Sequence, residues 1–346
     1  MVRFSGCYTA IVTPFHDNLE VDYEGLKRLV EFQLDAKVDG ILACGTTGES
    51  PTLDWSEHNK VTERVFEFSH GKGQTIAGTG SNSTQEAIEG TVHAAHMGIT
   101  AVLLVDPYYN GPSSLEIRRE YVEPIATAFP DIQMIPYIIP GRTGAQLLPQ
   151  DLAQLAADCP NVRTVKEATG DLDNMRLTRK LCGKDFDIMS GDDDKTLTMM
   201  TDPAIKAAGV ISVMSNIAPK AVGDLARLVL AGKAAEAEKL NAALAPLFAV
   251  ITVKTQEQTP YGPVLCRARN PLATKTLMNV LGMPSGPCRQ PLGKMTRAGL
   301  DVVLEAARKV NEEHPEILRP IEEHFGVKLN DRLRDEKVLE GLYYRK

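Results

Sequence analysis

The stretch Val162-Arg-Thr-Val-Lys166, followed directly by Glu-Ala-Thr-Gly170, joins a short β-like run to a polar turn that ends in glycine. Seven other short apolar runs in the chain lead into turns of the same kind. The pattern predicts eight strands, at residues 8–12, 40–44, 75–77, 101–105, 134–136, 162–166, 188–190 and 210–213.

Stretches with the apolar spacing of amphipathic helices lie between these strands, as in Leu26, Leu29 and Val30 after the first. Strict alternation of strand and helix predicts the α/β class with a parallel sheet, and eight such units in about 220 residues match a closed (β/α)8 TIM barrel. An open doubly wound sheet is the competing architecture. It is disfavoured because no strand-to-helix turn here has the Gly-x-Gly-x-x-Gly pattern.

Lys166 stands at the C-terminal end of its predicted strand, and in a barrel all strand C-termini open on the face that carries the active site. A lysine carried from an apolar strand into a cleft loses hydration, which disfavours the ammonium form and frees the amine to attack a carbonyl. The position therefore indicates a Schiff-base enzyme. The alternative is a strand-end lysine that merely reaches solvent.

Motifs follow the predicted strands in a characteristic order. They are Ala10-Ile-Val-Thr-Pro-Phe15, Gly45-Thr-Thr-Gly-Glu-Ser50, Ala77-Gly-Thr-Gly80, Pro107-Tyr-Tyr-Asn110, Tyr137-x-x-Pro140-x-Arg-Thr-Gly144, Val165-Lys-Glu-Ala-Thr-Gly170, Ser190-Gly-Asp-Asp193 and Gly209-Val-Ile-Ser-Val213. The ordered set resembles the pyruvate-dependent class I aldolases and lyases, the family of dihydrodipicolinate synthase and N-acetylneuraminate lyase. One such motif is weak evidence, whereas the ordered set is specific.

The resemblance implies a catalytic group at the barrel mouth. Lys166 would form an imine with pyruvate, and Tyr137 would relay protons as general acid and base. Thr46 and Tyr109 would complete a hydroxyl relay, with Tyr109 reaching in from a neighbouring subunit. Taken alone, the threonine is better explained as an ordinary turn residue and Tyr109 as a packing residue of the rim. Their order together with Lys166 and Tyr137 favours the catalytic interpretation.

The resemblance also implies a set of substrate-binding residues. Thr47, beside Thr46, would hold the pyruvate carboxylate, and Gly191 and Ile211 would line the pyruvate pocket. Arg142 lies where synthases carry an arginine that binds aspartate semialdehyde, and sialic acid lyases usually lack it. The alternative is a surface arginine after a turn proline.

The expected function is condensation of pyruvate with aspartate semialdehyde to 4-hydroxy-tetrahydrodipicolinate, on the route to diaminopimelate and lysine, without a cofactor. Two alternatives stay open at this point. One is another pyruvate-dependent lyase or aldolase, acting on N-acetylneuraminate or a 2-keto-3-deoxy sugar acid. The other is a catalytically silent barrel that binds a small carboxylate.

Feedback inhibition by lysine is a further expectation from the resemblance. Six residues match positions that line the lysine site at the dimer interface of inhibited synthases: Ser50, Trp55, His58, Asn82, Glu86 and Tyr108. The carboxylate of Glu86 would offset the ammonium charge of the effector. Ordinary polar interface residues are the alternative interpretation. Ile138 departs from the family pattern, since many relatives carry asparagine there.

Composition is that of a soluble cytoplasmic enzyme without metal. The six cysteines form no Cys-x-x-Cys pair, the seven histidines show no zinc spacing, and three adjacent acids at 192–194 fit a turn before a helix better than an ion site. A net charge of −7 with no sustained basic run disfavours nucleic acid and anionic membranes as partners. No segment has the length and apolarity of a membrane span.

Three regions are predicted along the chain. Residues 1–225 form the catalytic barrel, residues 226–310 a helical C-terminal region, and residues 311–346 a charged extension whose regular apolar residues predict docking on the barrel or a partner subunit. Residues from Pro219 to about Lys309 are expected to be largely helical. A homo-oligomer, dimer or tetramer, is expected because Tyr109 is assigned to a neighbour's site.

Overall fold

Within residues 3–345, which a computed structural model of the chain describes, eight parallel strands close into a barrel. Each strand pairs with its successor and β8 returns to β1. The strands are β1 Gly6–Ala10, β2 Gly40–Ala43, β3 Gln74–Gly78, β4 Ala101–Val105, β5 Gln133–Ile138, β6 Thr164–Glu167, β7 Asp187–Ser190 and β8 Gly209–Ser212. The closed barrel confirms the predicted (β/α)8 fold.

Helices cover the outside of the barrel and follow the strands in turn. They are α1 Tyr23–Asp35, α2 Trp55–Ser69, α3 Thr84–His96, α4 Ser114–Glu116, α5 Glu123–Ala128, α6 Pro140–Thr143, α7 Pro149–Asp158, α8 Leu172–Cys182, α9 Thr196–Thr201 and α10 Pro219–Leu230. A π-helical segment, Ile117–Val122, joins α4 to α5. Several helices begin with a side-chain cap, such as the carboxylate of Asp54 on the backbone N–H of Glu57 at 2.8 Å.

Strand side chains alternate between the barrel interior and the helix layer, as a closed sheet requires. Tyr8, Leu103, Tyr137 and Ile211 pack together inside the barrel. Ile138, next to Tyr137, is 1% exposed and packs instead among the helices outside. Ile138 therefore lies in apolar packing behind the strand and not in the barrel interior.

The C-terminal region begins with α11 Ala234–Ala249 and then departs from the predicted helices. The expectation that residues 219 to 309 are largely helical is wrong over residues 252–269, which form an antiparallel hairpin of β9 Thr252–Thr259 and β10 Gly262–Arg269. The physical reason is local. Threonines and valines, which favour strands, flank a Pro-Tyr turn that ends at Gly262 with φ +116°.

The remaining helices return to the barrel. They are α12 Leu272–Leu281, α13 Arg297–Glu313, α14 Pro315–Phe325, α15 Leu329–Arg332 and α16 Glu336–Leu339. Ile317, Leu318 and Ile321 of the charged extension are buried in the same apolar cluster as α1 and α13. The ring of Phe325 lies 5.2 Å from that of Phe32 in α1. The extension thus packs against its own chain, while the regional boundaries at 225 and 310 stay predictions.

Candidate active site

The C-terminal ends of β2, β3, β4 and β5 line a cavity of about 230 Å³. Its wall includes the turn after β2 with Gly45 and Thr46, the end of β5 with Tyr137, and Arg142 from α6. Parallel strands bring their following loops to one face, so residues far apart in sequence meet there. The cavity is therefore the candidate active site.

Lys166 is the third residue of β6, paired with Tyr137 on β5 and with Met189 on β7. Its side chain is directed toward the Tyr137 ring, with Nζ 4.3 Å from the ring centroid, and the residue is 4% exposed. Burial lowers the pKa of Lys166 to about 8, against the opposing charges of Asp193 and Asp192. A substantial fraction of the amine is therefore neutral near pH 8 and able to act as a nucleophile.

Because Gly191 has no side chain, it leaves room for the side chain of Lys166. A Cβ atom at this position would lie 2.7 Å from the Cβ of Ala168 and 3.3 Å from Cε of Lys166. Any larger residue would push against both. Ile211, on β8, is fully buried inside the barrel with Met189 and Tyr137. Gly191 thus lies beside the lysine, and Ile211 shares the barrel interior with Tyr137.

Tyr137 is buried at the base of the cavity, and its phenol stays protonated at neutral pH. Burial raises the pKa of Tyr137 to about 12, while the Arg142 charge and the nearby Thr46 hydroxyl act in the opposite direction. Thr46 is half-buried in the cavity wall. A protonated phenol close to a threonine hydroxyl can pass a proton to a reacting oxygen and recover it.

Thr47 and Arg142 are linked through one residue that the sequence patterns did not single out, Asn270. The side-chain amide of Asn270 donates to Thr47 Oγ1 at 3.0 Å, and the backbone carbonyl of Asn270 accepts from Arg142 Nη2 at 3.0 Å. Asn270 is 4% exposed and precedes a proline at the start of α12. An Asn-Pro pair before an apolar helical run is the signal that marks it.

A buried ion pair fixes the turn that carries these threonines. Glu49, at φ +56°, accepts from Lys275 Nζ at 2.6 Å and from the backbone N–H of Arg289 at 2.9 Å. The side chains of Glu49 and Lys275 are at most 1% exposed. A charge pair this deep is costly to break, because either partner alone would be left uncompensated. The C-terminal region therefore holds the Gly45–Ser50 turn in place.

Tyr109 is not part of this cluster. It is 92% exposed, and its backbone has φ 78°, a left-handed value that is uncommon for a tyrosine. Within one chain, the predicted third hydroxyl of the relay therefore lies apart from Lys166 and Tyr137.

Among the six residues predicted for an effector site, Ser50, Glu86 and Tyr108 lie close to one another, and Trp55 lies against His58. Ser50 and Tyr108 line the cavity, and the Glu86 charge, after burial, raises the pKa of Tyr108. The ring of Trp55 packs at a tilt against that of His58, with the ring centroids 4.8 Å apart. His58 is 3% exposed, and burial lowers its pKa to about 4. Asn82 is exposed.

The three adjacent aspartates diverge. Asp193 turns inward and accepts from the Ser212 hydroxyl and, at 2.9 Å, from the backbone N–H of Val213. Asp194 points outward toward Lys195 at 3.4 Å. Among residues 3–345, no group of three or more His, Cys, Asp or Glu side chains is arranged to hold a metal ion.

All six cysteines are unpaired. In the part of the chain from 3 to 345, no helix combines the length and apolarity needed to cross a membrane.

Known proteins match the chain in sequence and in structure. The family model described as "Dihydrodipicolinate synthetase family" matches residues 3–309. The 4-hydroxy-tetrahydrodipicolinate synthase of Trichlorobacter lovleyi is 42% identical over 306 residues, 88% of this chain and 98% of the relative. The dihydrodipicolinate synthase structure from Aquifex aeolicus has a TM-score of 0.81 and 37% identity, covering 91% of this chain and all of that one. The lysine-bound synthase structure from Cyanidioschyzon merolae has a TM-score of 0.80 and 34% identity, covering 89% and 98%.

Proposed function

Since this chain belongs to the Dihydrodipicolinate synthetase family, we propose that it condenses pyruvate with aspartate semialdehyde to 4-hydroxy-tetrahydrodipicolinate, on the route to diaminopimelate and lysine. The observation that carries the proposal is the buried Lys166 amine against the Tyr137 ring, beside a cavity lined by Thr46 and Arg142. A nucleophilic amine, a protonated phenol and a carboxylate-binding guanidinium are the groups that this condensation requires.

Lys166 begins the reaction. Its neutral amine adds to the ketone carbon of pyruvate, and the resulting carbinolamine loses water to give an imine. The lowered pKa of Lys166 supports this role, because an ammonium ion has no lone pair for the attack. Loss of a proton from the methyl group of the imine then gives an enamine, whose carbon attacks the aldehyde.

Tyr137 moves the protons of these steps. It donates to the departing water of the carbinolamine and to the aldehyde oxygen as that atom becomes an alkoxide. The nearby Thr46 hydroxyl, which acts to lower the pKa of Tyr137, supports a relay through which the proton is recovered. The amine of the acceptor finally attacks the imine carbon, closes the ring and releases Lys166.

The substrate carboxylates are assigned to different groups. The pyruvate carboxylate lies at the Thr46–Thr47 turn, whose hydroxyl and backbone N–H groups are suitable donors for an anion. Arg142 binds the carboxylate of the acceptor, because a guanidinium offers two parallel donors. Support comes from its position on the cavity wall, where Asn270 holds it in place.

The working unit in this proposal contains at least two subunits, and a dimer or tetramer is expected. Tyr109 supports this assignment, because a tyrosine that is 92% exposed on a left-handed backbone is well placed to enter a neighbour's site. The six unpaired cysteines support a reducing compartment, the cytoplasm.

Lysine is proposed as an effector that binds near Ser50, Glu86 and Tyr108. The proximity of these residues supports the proposal, as does the lysine-bound synthase among the similar structures. The carboxylate of Glu86 would bind an ammonium group of the effector. The buried His58 would form the wall of the site together with Trp55.

A panel of acceptor aldehydes assayed with pyruvate tests the proposed function. Aspartate semialdehyde, N-acetylmannosamine and glyceraldehyde are compared by kcat/KM, with Lys166→Ala as the inactive control. We expect aspartate semialdehyde to be the best acceptor by a wide margin. A higher kcat/KM for either sugar aldehyde would replace the proposed reaction with that of a sugar-acid aldolase.

A further inference from the structure

The C-terminal end of the hairpin β9–β10 lies at the rim of the barrel mouth. Most of the ribbon is exposed, including Tyr261 at its tip. Arg269, the last residue of β10, is half-buried and directly precedes Asn270. The hairpin therefore ends at the residue that connects Thr47 to Arg142.

Arg142 and Arg269 each donate a hydrogen bond to the backbone of the residue next to the other arginine. Nη2 of Arg142 donates to the carbonyl of Asn270 at 3.0 Å, and Nη2 of Arg269 donates to the carbonyl of Gly141 at 3.1 Å. Each guanidinium thus holds the residue next to the other arginine. A shift of the Arg269 side chain would release the turn from which Arg142 extends.

The two guanidinium groups are also close enough to influence each other's charge. Burial lowers the pKa of Arg142, and the Arg269 charge acts in the same direction. Among residues 3–345, neither arginine has a carboxylate within 4.0 Å. The Asp192 charge acts on Arg142 in the opposite direction but forms no ion pair with it. Two neighbouring cations without a paired carboxylate favour the binding of an anion. The cavity beside Arg142 is the side from which a small anion would arrive.

We propose that Arg269 is a positioning residue that acts through Arg142 and makes the site selective for an acceptor aldehyde bearing a carboxylate. Its bond to Gly141 fixes the turn of Arg142 in the orientation that meets the carboxylate. Its charge adds to the positive potential at the same place. The role rests on the proposed condensation, and it concerns the acceptor and not the formation of the pyruvate imine.

The test compares Arg269→Gln, Arg269→Lys and Arg267→Gln in the full-length protein. Arg267 is the matched control, since it lies two residues away on the same face of β10, is exposed, and among residues 3–345 donates no hydrogen bond to the Gly141 turn. Both arginine-to-glutamine variants lose one positive charge from the same strand. Only Arg269→Gln loses the bond to Gly141.

We expect Arg269→Gln to raise KM for aspartate semialdehyde about tenfold, the effect of weakening one charge-assisted contact. KM for pyruvate and the yield of the borohydride-trapped pyruvate adduct should stay at wild-type values. Arg269→Lys should restore part of the acceptor affinity, and Arg267→Gln should behave as wild type. Melting temperatures of all variants identify a general loss of structure.

Three results would overturn the role of Arg269 while leaving the proposed function intact. They are an unchanged acceptor KM in Arg269→Gln, an equal rise of both KM values, and an equal effect of Arg267→Gln. A wild-type protein that forms no product from pyruvate and aspartate semialdehyde would instead overturn the proposed function, and with it the inference built on it.

Discussion

The amine of Lys166 lies 4.3 Å from the centroid of the Tyr137 ring, and the two residues are paired partners on adjacent strands β6 and β5. Strand pairing therefore sets their separation. Both side chains enter the barrel interior, where burial lowers the pKa of the lysine and raises that of the tyrosine. The same surroundings thus supply a neutral nucleophile next to a protonated acid.

Replacing Tyr137 by phenylalanine should slow turnover by roughly 10² to 10⁴, the range for loss of a general acid-base group. The ring, and therefore the packing against Lys166, is retained. Steady-state kcat measures the effect, and circular dichroism checks the fold. Tyr8→Phe is the matched control, because it removes another hydroxyl from the barrel interior, one that donates to Gln74. Equal losses in the two variants would show that the hydroxyl of Tyr137 has no special part in catalysis.

The pH dependence of kcat/KM for pyruvate should report the titration of Lys166. Because the pKa is lowered to about 8, the reactive neutral amine decreases about tenfold for each pH unit below that value and levels off above it. Asp192→Asn removes a negative charge that favours the ammonium form, so the midpoint should move to lower pH. The effect should be measured above pH 6, since burial raises the pKa of Asp192 to about 6.

Asp194→Asn is the control for this shift. Its carboxylate is 59% exposed and lies 3.4 Å from Lys195, directed away from the barrel interior. The midpoint in this variant should stay at the wild-type value. A profile that moves upward in Asp192→Asn, or that moves equally in both variants, would argue against the electrostatic account of Lys166.

Tyr109 should contribute to activity from a neighbouring subunit, so the active enzyme should be an oligomer. Sedimentation at assay concentration should show a dimer or a larger oligomer, and Tyr109→Phe should lower kcat without changing that mass, because only the relay hydroxyl is lost. Tyr261→Phe, at the exposed tip of the hairpin, is the matched control and should keep full activity. A fully active monomer would contradict the assignment of Tyr109 to a neighbour's site.

Lysine at millimolar concentration should inhibit the enzyme and raise its melting temperature, because a ligand that binds only the folded protein stabilises it. Glu86→Ala should abolish both effects while sparing catalysis. Glu89→Ala, on the exposed side of the same helix, should leave inhibition unchanged. Absence of both inhibition and a thermal shift in the wild type would remove the regulatory proposal.

The barrel and the position of Lys166 could be predicted because both depend on local patterns. A short apolar run followed by a polar turn marks a strand end wherever it occurs, and parallel strands bring their ends together. Strand bounds differ by a few residues, as in β1, which begins at Gly6 instead of Tyr8. The role of Ile138 depends on its outward direction from β5 into the helix layer, which the motif around Tyr137 does not indicate.

The hairpin and the contacts of Arg269 could not be predicted in the same way. β9 and β10 mix polar and apolar residues because most of the ribbon is exposed, so the alternation that marks a buried strand is weak there. The bond from Arg269 to Gly141 joins residues 128 positions apart. Such a contact depends on the tertiary packing of the C-terminal region on the barrel and has no local signal.

Reduction with borohydride in the presence of pyruvate tests the central claim most directly. The reagent reduces an imine to a stable secondary amine, so treated enzyme should lose activity irreversibly and carry a pyruvate-derived mass on the peptide that contains Lys166. Omitting pyruvate, or using Lys166→Ala, should give no adduct. An unmodified Lys166 in treated wild-type enzyme, or undiminished activity of Lys166→Ala, would contradict the Schiff-base mechanism.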